Sequence, residues 1–175
     1  RCDAARRPGG ESGDPLMAVD VVIALGTNIG DRAVNLATAL ESLMAFVTEI
    51  ERSPIYESAP KYVTDQPMFL NMVARGRTAL DAQNFLAALK SVETEMGREP
   101  GVRNGPRLID MDIVYYGDAV INTPTLTVPH PRLRERAFVL RPLSDIDPDR
   151  RDPVSGSTVR QMLAALSDGD DLSPV

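Results

Sequence analysis

Two aspartates, Asp110 and Asp112, lie in the segment RNGPRLIDMDIVYY and are the side chains best placed for chemistry. Residues 108–116 are patterned as a strand, in which side chains two positions apart point to the same face. Two adjacent carboxylates raise each other's pKa unless a cation lies between them. Mg²⁺ binds proteins through one or two carboxylates and fills its other positions with water and phosphate oxygens. The pair therefore predicts a magnesium and phosphate site, and the alternative is a solvated strand face.

The alternation of the same strand predicts which side chains share a face with the aspartates. The odd-numbered residues from Ile109 to Tyr115 are expected on one, apolar, face. The even-numbered residues from Leu108 to Tyr116, which include both aspartates, are expected on the other face.

Arginines before and after this strand give the predicted site an anion-binding half. Arg98, Arg103 and Arg107 precede the aspartates, and Gly105-Pro106 fixes a turn just ahead of Arg107. Seven arginines fall at positions 98, 103, 107, 132, 134, 136 and 141, in a chain of net charge −6. Carboxylates that can bind a metal, next to arginines that can bind anions, indicate a nucleoside triphosphate site. The alternative is that these arginines are ordinary surface residues.

Length and composition restrict the kinds of protein that can carry this site. The 175 residues suit one domain with its own core, and 43% hydrophobic with 25% charged residues is typical of globular proteins. The balance of 19 basic against 25 acidic residues argues against bulk nucleic-acid binding. A single cysteine excludes a disulfide framework, and no apolar run reaches the ~20 residues of a membrane span. We therefore expect a cytoplasmic protein that binds neither nucleic acid nor membranes.

Periodicity and composition predict the elements that position the site. Residues 1–16 are expected to be a flexible tail or a linker to an upstream domain, residues 17–166 the folded domain, and residues 167–175 an acidic, frayed tail. The predicted elements are a buried strand 19–25, a helix capped by Asp31 and reaching about Val47, a strand 50–58, a strand 69–78, a helix from Asp81 to Gly97, short strands 120–121 and 126–128, an apolar segment 138–146, and a helix 158–166 capped by Ser157. This order favours α+β layers with a mainly antiparallel sheet.

Three polar side chains do not match their surroundings. Asn71 lies among apolar neighbours, and its amide can present a donor and an acceptor to the edge of a heterocycle. Glu93 falls at the edge of a core-facing helix stripe, and His130, the only histidine, lies between two prolines ahead of three arginines. A surface position or a satisfied structural role is the alternative for His130, and core packing is the alternative for Phe69, which shares the strand face of Asn71.

Taken together, these motifs resemble the 6-hydroxymethyl-7,8-dihydropterin pyrophosphokinase family over residues 20–166. The matching residues are GTNIGDR (26–32), Tyr56, DQPMFLN (65–71), Glu93, GR (97–98), Arg103, GPRLIDMDI (105–113), LTVPHPR (126–132), Arg136 and Phe138. The resemblance implies a ferredoxin-like α/β sandwich with a mainly antiparallel sheet covered by helices. It also implies that residues 17–166 transfer pyrophosphate from ATP to the pterin hydroxymethyl group and release AMP, in folate biosynthesis.

The resemblance further implies a role for each matching side chain. Asp110 and Asp112 are expected to bind two Mg²⁺ ions, and with Arg98 and Arg107 they form the expected catalytic set. The expected ATP-binding residues are Glu93, Arg98, Arg107, Ile113, Leu126, Thr127, His130 and Arg136. The expected pterin-binding residues are Ser58, Phe69, Asn71 and Phe138, with the two phenylalanines stacking on the ring.

The sequence departs from the family pattern in the loops 59–66 and 98–106, which we expect to close over the substrates. Pro100 stands where members often carry arginine, and Asn104 stands where some carry an aromatic residue. We expect a monomer, and fusion to, or a position next to, another folate-pathway enzyme as in relatives. Two other functions stay open: a nucleotide-transferring or nucleotide-hydrolysing enzyme with a different acceptor, and a non-catalytic ferredoxin-like sensing module.

Overall fold

An antiparallel sheet forms the middle layer of the computed structural model, which describes residues 17–101, 103–166 and 171–175. The strands are β1 (Val19–Thr27), β2 (Thr48–Arg52), β3 (Tyr56–Ser58), β4 (Phe69–Thr78), β5 (Asp110–Tyr116), β6 (Ile121–Asn122), β7 (Thr127–Val128) and β8 (Leu172–Pro174). Six of them form one sheet, in which five follow the order β5-β1-β4-β3-β8 and β2 pairs with the other half of β4. β6 and β7 form a separate pair. Every pairing between these strands is antiparallel.

Helices cover both faces of the sheet. Helices α1 (Arg32–Leu43) and α2 (Ala82–Glu95) pack on one face, and α3 (Ala137–Ile146) and α4 (Val159–Ala164) on the other. Because α1 connects β1 to β2 and α2 connects β4 to β5, the order β5-β1-β4-β2 contains two split β-α-β units. The predicted α+β, ferredoxin-like sandwich with an antiparallel sheet is confirmed. None of these helices is long and apolar enough to cross a bilayer.

The starts of the first two helices are confirmed, but the end of the first is not. The carboxylate of Asp31 accepts the amide of Val34 at 3.2 Å, and that of Asp81 accepts the amide of Asn84 at 2.8 Å, as N-caps do. The predicted extension of α1 to Val47 is wrong, since α1 ends at Leu43 and a turn brings the buried Val47 to the core.

Two predictions about the other elements are also wrong. The strand expected over residues 50–58 is two strands, because Pro54 lacks the N–H that a continuous ladder needs. The cap of α4 is Thr158 and not Ser157, because the Thr158 side chain and Gln161 form a reciprocal capping box. The apolar segment 138–146 forms most of helix α3, which contains Pro142.

A β-bulge in β5 overturns the predicted alternation beyond Ile113. Ile113 pairs with Ile23 of β1, whereas Tyr115 pairs with the preceding Val22, so that Val114 is the extra residue. Ile113 therefore packs toward α1 and α2, while Tyr115 packs toward α3 and α4. The bulge lies after the aspartates, and their predicted common face is unaffected.

The C-terminal segment is ordered against the sheet. β8 pairs with β3, with Leu172 opposite Ser58, and the Val175 amide donates to the Ile55 carbonyl at 3.0 Å. The expected fraying is therefore wrong for Leu172–Pro174, whereas residues 1–16 and 167–170 lie outside the described part of the chain.

A buried carboxylate, Asp152, anchors the connection between α3 and α4. Its Oδ2 accepts the amide of Ser155 at 3.1 Å, the hydroxyl of Ser155 at 2.6 Å and Nη2 of Arg134 at 3.2 Å. Burial acts to raise the pKa of Asp152, but the hydrogen bonds from Ser155 and Arg134 outweigh it, and the net pKa is lowered. The connection is thereby tied to the segment that follows His130.

Candidate active site

The two aspartates of β5 lie where two cavities meet. The larger cavity, about 550 Å³, is lined mainly by basic and polar residues, among them Lys90, Arg98, Arg103, Arg107, His130, Arg132 and Arg136. The smaller, about 80 Å³, is lined by Ser58, Tyr62, Phe69, Asn71 and Phe138 among others. Asn104, Arg107, Asp110, Asp112 and Arg136 line both. A group passing between ligands in the two cavities would therefore pass the aspartates.

Asp110 is held by two arginines. Nη1 of Arg98 lies 2.8 Å from its Oδ1, and Nη1 of Arg107 lies 2.9 Å from its Oδ2. Burial acts to raise the pKa of Asp110, but the charges of Arg107 and Arg98 outweigh it, and the pKa is lowered. Asp110 is thus ionised and fixes both guanidinium groups beside the larger cavity.

Asp112 has much weaker compensation for its charge. Nε2 of His130 and Nη1 of Arg136 each lie 3.9 Å from its Oδ2, and of these two only Arg136 is charged at pH 7. Burial and the neighbouring charge of Asp110 raise the pKa of Asp112 to about 6. A carboxylate whose ionisation is opposed in this way suits a cation, because a cation beside it would favour the charged form.

The protein supplies few ligands to such a cation. Within residues 17–101, 103–166 and 171–175, no three His, Cys, Asp or Glu side chains come together as a complete metal site. The carboxylates of Asp110 and Asp112, whose side chains are 21% and 30% exposed, remain open to solvent. Mg²⁺ binds in this manner, through one or two carboxylates with its other positions taken by water and substrate phosphate. The residues present therefore fit Mg²⁺.

Glu93 lies beneath the larger cavity and does not line it. One carboxylate oxygen, Oε1, accepts the amide of Met111 at 2.7 Å and Nζ of Lys90 at 3.1 Å. The other, Oε2, lies 2.6 Å from Nη1 of Arg98. The geometry gives Glu93 the role of positioning Arg98 and the start of β5, and the predicted ATP contact stays a prediction.

His130 is presented to the larger cavity in a defined tautomer. The Val128–Pro129 bond is cis, and the His130 amide donates to the Val114 carbonyl at 3.1 Å. Nδ1 accepts the amide of Arg132 at 3.1 Å, which leaves the proton of the neutral ring on Nε2. Burial and the charge of Arg136 lower the pKa of His130 to about 4, so the ring is a neutral donor at pH 7.

The four predicted pterin residues line the smaller cavity together. Asn71 is 5% exposed, and its Nδ2 donates to Oγ of Ser58 at 2.7 Å. The guanidinium carbon of Arg136 lies 5.4 Å from the ring centroid of Phe138. Phe69 begins β4 opposite Ser58. The cavity thus combines two aromatic rings with a buried amide and hydroxyl.

Three predicted adenosine contacts lie apart from both cavities. Ile113 and Leu126 belong to the core beneath α1 and α2, and Thr127 is exposed on β7. None of the three lines either cavity. Their predicted role therefore stays a prediction.

Sequence reasoning did not assign a role to two residues at the site, Lys90 and Tyr62. Lys90 lies three positions before Glu93 on α2, a spacing that brings side chains together and was available as a signal. The Tyr62 ring contacts two guanidinium groups, with the guanidinium carbon of Arg132 at 4.8 Å and that of Arg136 at 5.6 Å from its centroid. No periodicity marks a loop tyrosine of this kind.

A family model and known proteins match the chain. The model for 7,8-dihydro-6-hydroxymethylpterin-pyrophosphokinase (HPPK) matches residues 22–148. The chain is 43% identical over 135 residues to the 2-amino-4-hydroxy-6-hydroxymethyldihydropteridine pyrophosphokinase of Aquifex aeolicus, covering 77% of this chain and 84% of that protein. It is 50% identical over 128 residues to the mitochondrial folate synthesis bifunctional protein of Pisum sativum, covering 73% of this chain.

Several relatives are much longer than this chain. The chain spans 25% of the Pisum sativum protein and 21% of the folic acid synthesis protein fol1 of Pneumocystis carinii. Among solved structures, Plasmodium falciparum HPPK-DHPS superposes with a TM-score of 0.73 at 18% identity, over 88% of this chain and 46% of that one. At that identity the likeness shows a shared fold.

Proposed function

The chain belongs to the 7,8-dihydro-6-hydroxymethylpterin-pyrophosphokinase family, and we propose that it transfers pyrophosphate from MgATP to 6-hydroxymethyl-7,8-dihydropterin, releasing AMP, in folate biosynthesis. The observation that carries this proposal is the position of Asp110 and Asp112 at the junction of a basic cavity and an aromatic one. The basic cavity suits the larger, anionic nucleotide, and the aromatic cavity suits the flat pterin ring.

The arginines of the larger cavity are the proposed phosphate ligands. Arg98 and Arg107 have their guanidinium groups fixed by Asp110, and Arg136 lines both cavities. Neutral His130 adds an N–H donor. Groups fixed before the reaction stabilise charge on the phosphate oxygens without reorganising during the reaction. We place the adenosine beside Glu93, Ile113, Leu126 and Thr127 from the family resemblance alone.

The reaction is an in-line displacement at the β-phosphorus. The pterin hydroxymethyl oxygen forms a bond to that phosphorus while the bond to the α-phosphate oxygen breaks, and AMP leaves. Two Mg²⁺ ions held by Asp110 and Asp112 would supply charge neutralisation and polarisation of the phosphates. Positioning and charge account for most of the catalysis in reactions of this class. The proton of the hydroxymethyl group leaves to solvent or to one of the aspartates.

The smaller cavity holds the pterin in this proposal. Phe69 and Phe138 stack on the ring, while Asn71 and Ser58 form hydrogen bonds with its edge. The Asn71–Ser58 hydrogen bond already fixes the amide orientation, and ordering it costs no further entropy on binding. Asn71→Ala is therefore expected to raise the KM for pterin at least tenfold and to leave the KM for ATP within about threefold of wild type.

Product analysis tests the reaction directly. The protein is incubated with MgATP and 6-hydroxymethyl-7,8-dihydropterin, and AMP is resolved from ADP. We expect one AMP per pterin consumed, and no AMP after addition of EDTA. ADP as the nucleotide product would indicate an ordinary kinase and contradict the proposal. Nucleotide turnover that does not depend on pterin would indicate a different acceptor.

The wider context of the reaction is also proposed. The names of the relatives describe bifunctional folate synthesis proteins and HPPK-DHPS, and we infer that the domain acts beside a second folate-pathway enzyme, fused or separate. The monomeric state and the cytoplasmic location predicted from the sequence remain predictions.

A further inference from the structure

Asn28 is 2% exposed, and its polar atoms form hydrogen bonds with three residues in two other parts of the chain. Its Nδ2 donates to Oε1 of Gln66 at 2.9 Å and to the Pro67 carbonyl at 3.0 Å. Its Oδ1 accepts the Arg107 amide at 2.9 Å, and its own amide donates to the Arg107 carbonyl at 3.1 Å. Asn28 therefore binds both backbone polar groups of Arg107.

Gln66 continues the same network to the neighbouring loops. Its Nε2 donates to the Val63 carbonyl at 2.6 Å and to the Asn104 carbonyl at 2.8 Å. Asn104 has a φ of +59°, a left-handed conformation that asparagine tolerates better than most residues. One glutamine side chain thus joins the loop of the smaller cavity to the turn that precedes Arg107.

Arg107 connects this hydrogen-bond network to the candidate active site. Its Nη1 lies 2.9 Å from Asp110, its Nε donates to the Gly105 carbonyl at 3.1 Å, and it lines both cavities. The position of its guanidinium group depends on a backbone that Asn28 holds directly and Gln66 holds through Asn28. A buried network of this kind gains most when every member is satisfied, so loss of one member weakens the others.

We propose that Asn28 and Gln66 are positioning residues that couple the order of segment 63–67 to the placement of Arg107. Ordering the loop over the smaller cavity then places the guanidinium group for the larger one, so that occupation of one cavity prepares the other. The structural coupling stands independently, whereas its catalytic consequence rests on the proposed pyrophosphoryl transfer.

Amide hydrogen exchange in the ligand-free protein, read by NMR at the Arg107 amide, tests the coupling without any turnover. Asn28→Ala removes the acceptor of the Arg107 amide and is expected to speed this exchange at least tenfold. Gln66→Ala does not touch Arg107, and we expect it also to speed the exchange at least fivefold. Exchange in Gln66→Ala within twofold of wild type would overturn the coupling.

A matched control and a milder variant keep the test decisive. Thr78 is 1% exposed at the far end of β4, where its hydroxyl donates to the Phe46 carbonyl and accepts the Leu80 amide. Thr78→Val removes a comparable pair of buried hydrogen bonds and is expected to leave Arg107 exchange unchanged. If Gln66→Ala fails to fold, Gln66→Glu keeps an acceptor for Asn28 but replaces the Nε2 donor with an oxygen that faces the Val63 and Asn104 carbonyls. This variant is expected to speed Arg107 exchange at least threefold; wild-type exchange would overturn the coupling.

Steady-state kinetics tests the catalytic consequence separately. Gln66→Ala is expected to lower kcat at least tenfold and to raise the KM for pterin, because small displacements of a catalytic group cost large factors in rate. Thr78→Val, with a similar loss of Tm, is expected to keep kcat within twofold. A wild-type kcat in Gln66→Ala would overturn the catalytic role. Absence of pterin-dependent AMP in the wild-type protein would instead refute the proposed function and leave the exchange result standing.

Discussion

Replacing Glu93 with alanine distinguishes a positioning carboxylate from a nucleotide contact. The side chain is 3% exposed, and its two oxygens accept the Met111 amide, Lys90 and Arg98. Glu93→Ala removes all three interactions and leaves the Met111 amide buried without its acceptor. The change is therefore expected to reduce stability as well as activity.

The expected loss of stability in Glu93→Ala follows from what each hydrogen-bond partner of Glu93 loses. Lys90 and Arg98 are 45% and 31% exposed and can turn to water, so their loss costs little. The main cost is the Met111 amide, since an unsatisfied buried N–H costs about 1–3 kcal/mol. We therefore expect Glu93→Ala to lower the free energy of unfolding by about 1–3 kcal/mol, which corresponds to roughly 2–12 °C in Tm for a domain of this size. Glu93→Gln retains one oxygen acceptor and should cost about half as much.

Urea unfolding followed by far-UV circular dichroism measures this loss, because the chain contains no tryptophan for fluorescence. Glu95→Ala is the matched control, since Glu95 lies exposed on the same helix and its loss should stay within about 0.5 kcal/mol. A loss below about 1 kcal/mol in Glu93→Ala, together with a large rise in the KM for ATP, would refute the positioning role. That outcome would favour a direct contact with the nucleotide.

Three further predictions concern the two aspartates of the proposed metal site, the packing of the core and the dependence of stability on pH. Asp110→Ala and Asp112→Ala should each lower turnover at least ~10²-fold with an unchanged far-UV spectrum, and wild-type-like turnover in either would rule out the metal assignment. Gly76→Ala should cost about 1–3 kcal/mol in urea unfolding without changing either KM, because its Cβ would lie 2.5 Å from Cγ1 of Val47; full stability would contradict that packing. The lowered pKa of Asp152 stabilises the fold at pH 7, and this contribution is lost as pH falls through the folded-state pKa. Asp152→Asn should therefore be less stable than wild type at pH 7, and the difference should be smaller at pH 3. A difference that persists unchanged at pH 3 would refute the ionic origin.

Local patterns in the sequence predicted the parts of the fold that depend on local physics. The caps Asp31 and Asp81 and the strand 69–78 are confirmed, because capping and the alternation of side chains between the two faces of a strand are set by residues a few positions apart. The bulge at Val114 could not be predicted, since it exists only in the pairing of β5 with β1. The pairing of β8 with β3 joins segments more than a hundred residues apart, and no local pattern encodes it.

The candidate site was predictable to a similar degree. The family resemblance assigned the two aspartates, the arginines and the predicted pterin-binding residues to one site, and these side chains line the two adjoining cavities. It did not show that Glu93 directs its oxygens to β5 and Arg98, because a carboxylate at the edge of a helix stripe can point either way. Nor did it single out Asn28 and Gln66, whose importance comes from atoms that meet only in the folded chain.

The basic cavity sits in a chain whose net charge is −6, and this contrast governs how the proposed nucleotide arrives. Beyond the ~8 Å Debye length of physiological salt, the charge of either molecule is largely screened. At lower ionic strength the acidic surface as a whole repels a triphosphate, and attraction begins only inside the reach of the arginines. Added salt therefore has opposite effects on the two stages of binding. It reduces the repulsion during approach, and it weakens the attraction between the arginines and the bound triphosphate. We therefore expect capture of the proposed nucleotide to be a short-range event, without long-range electrostatic steering.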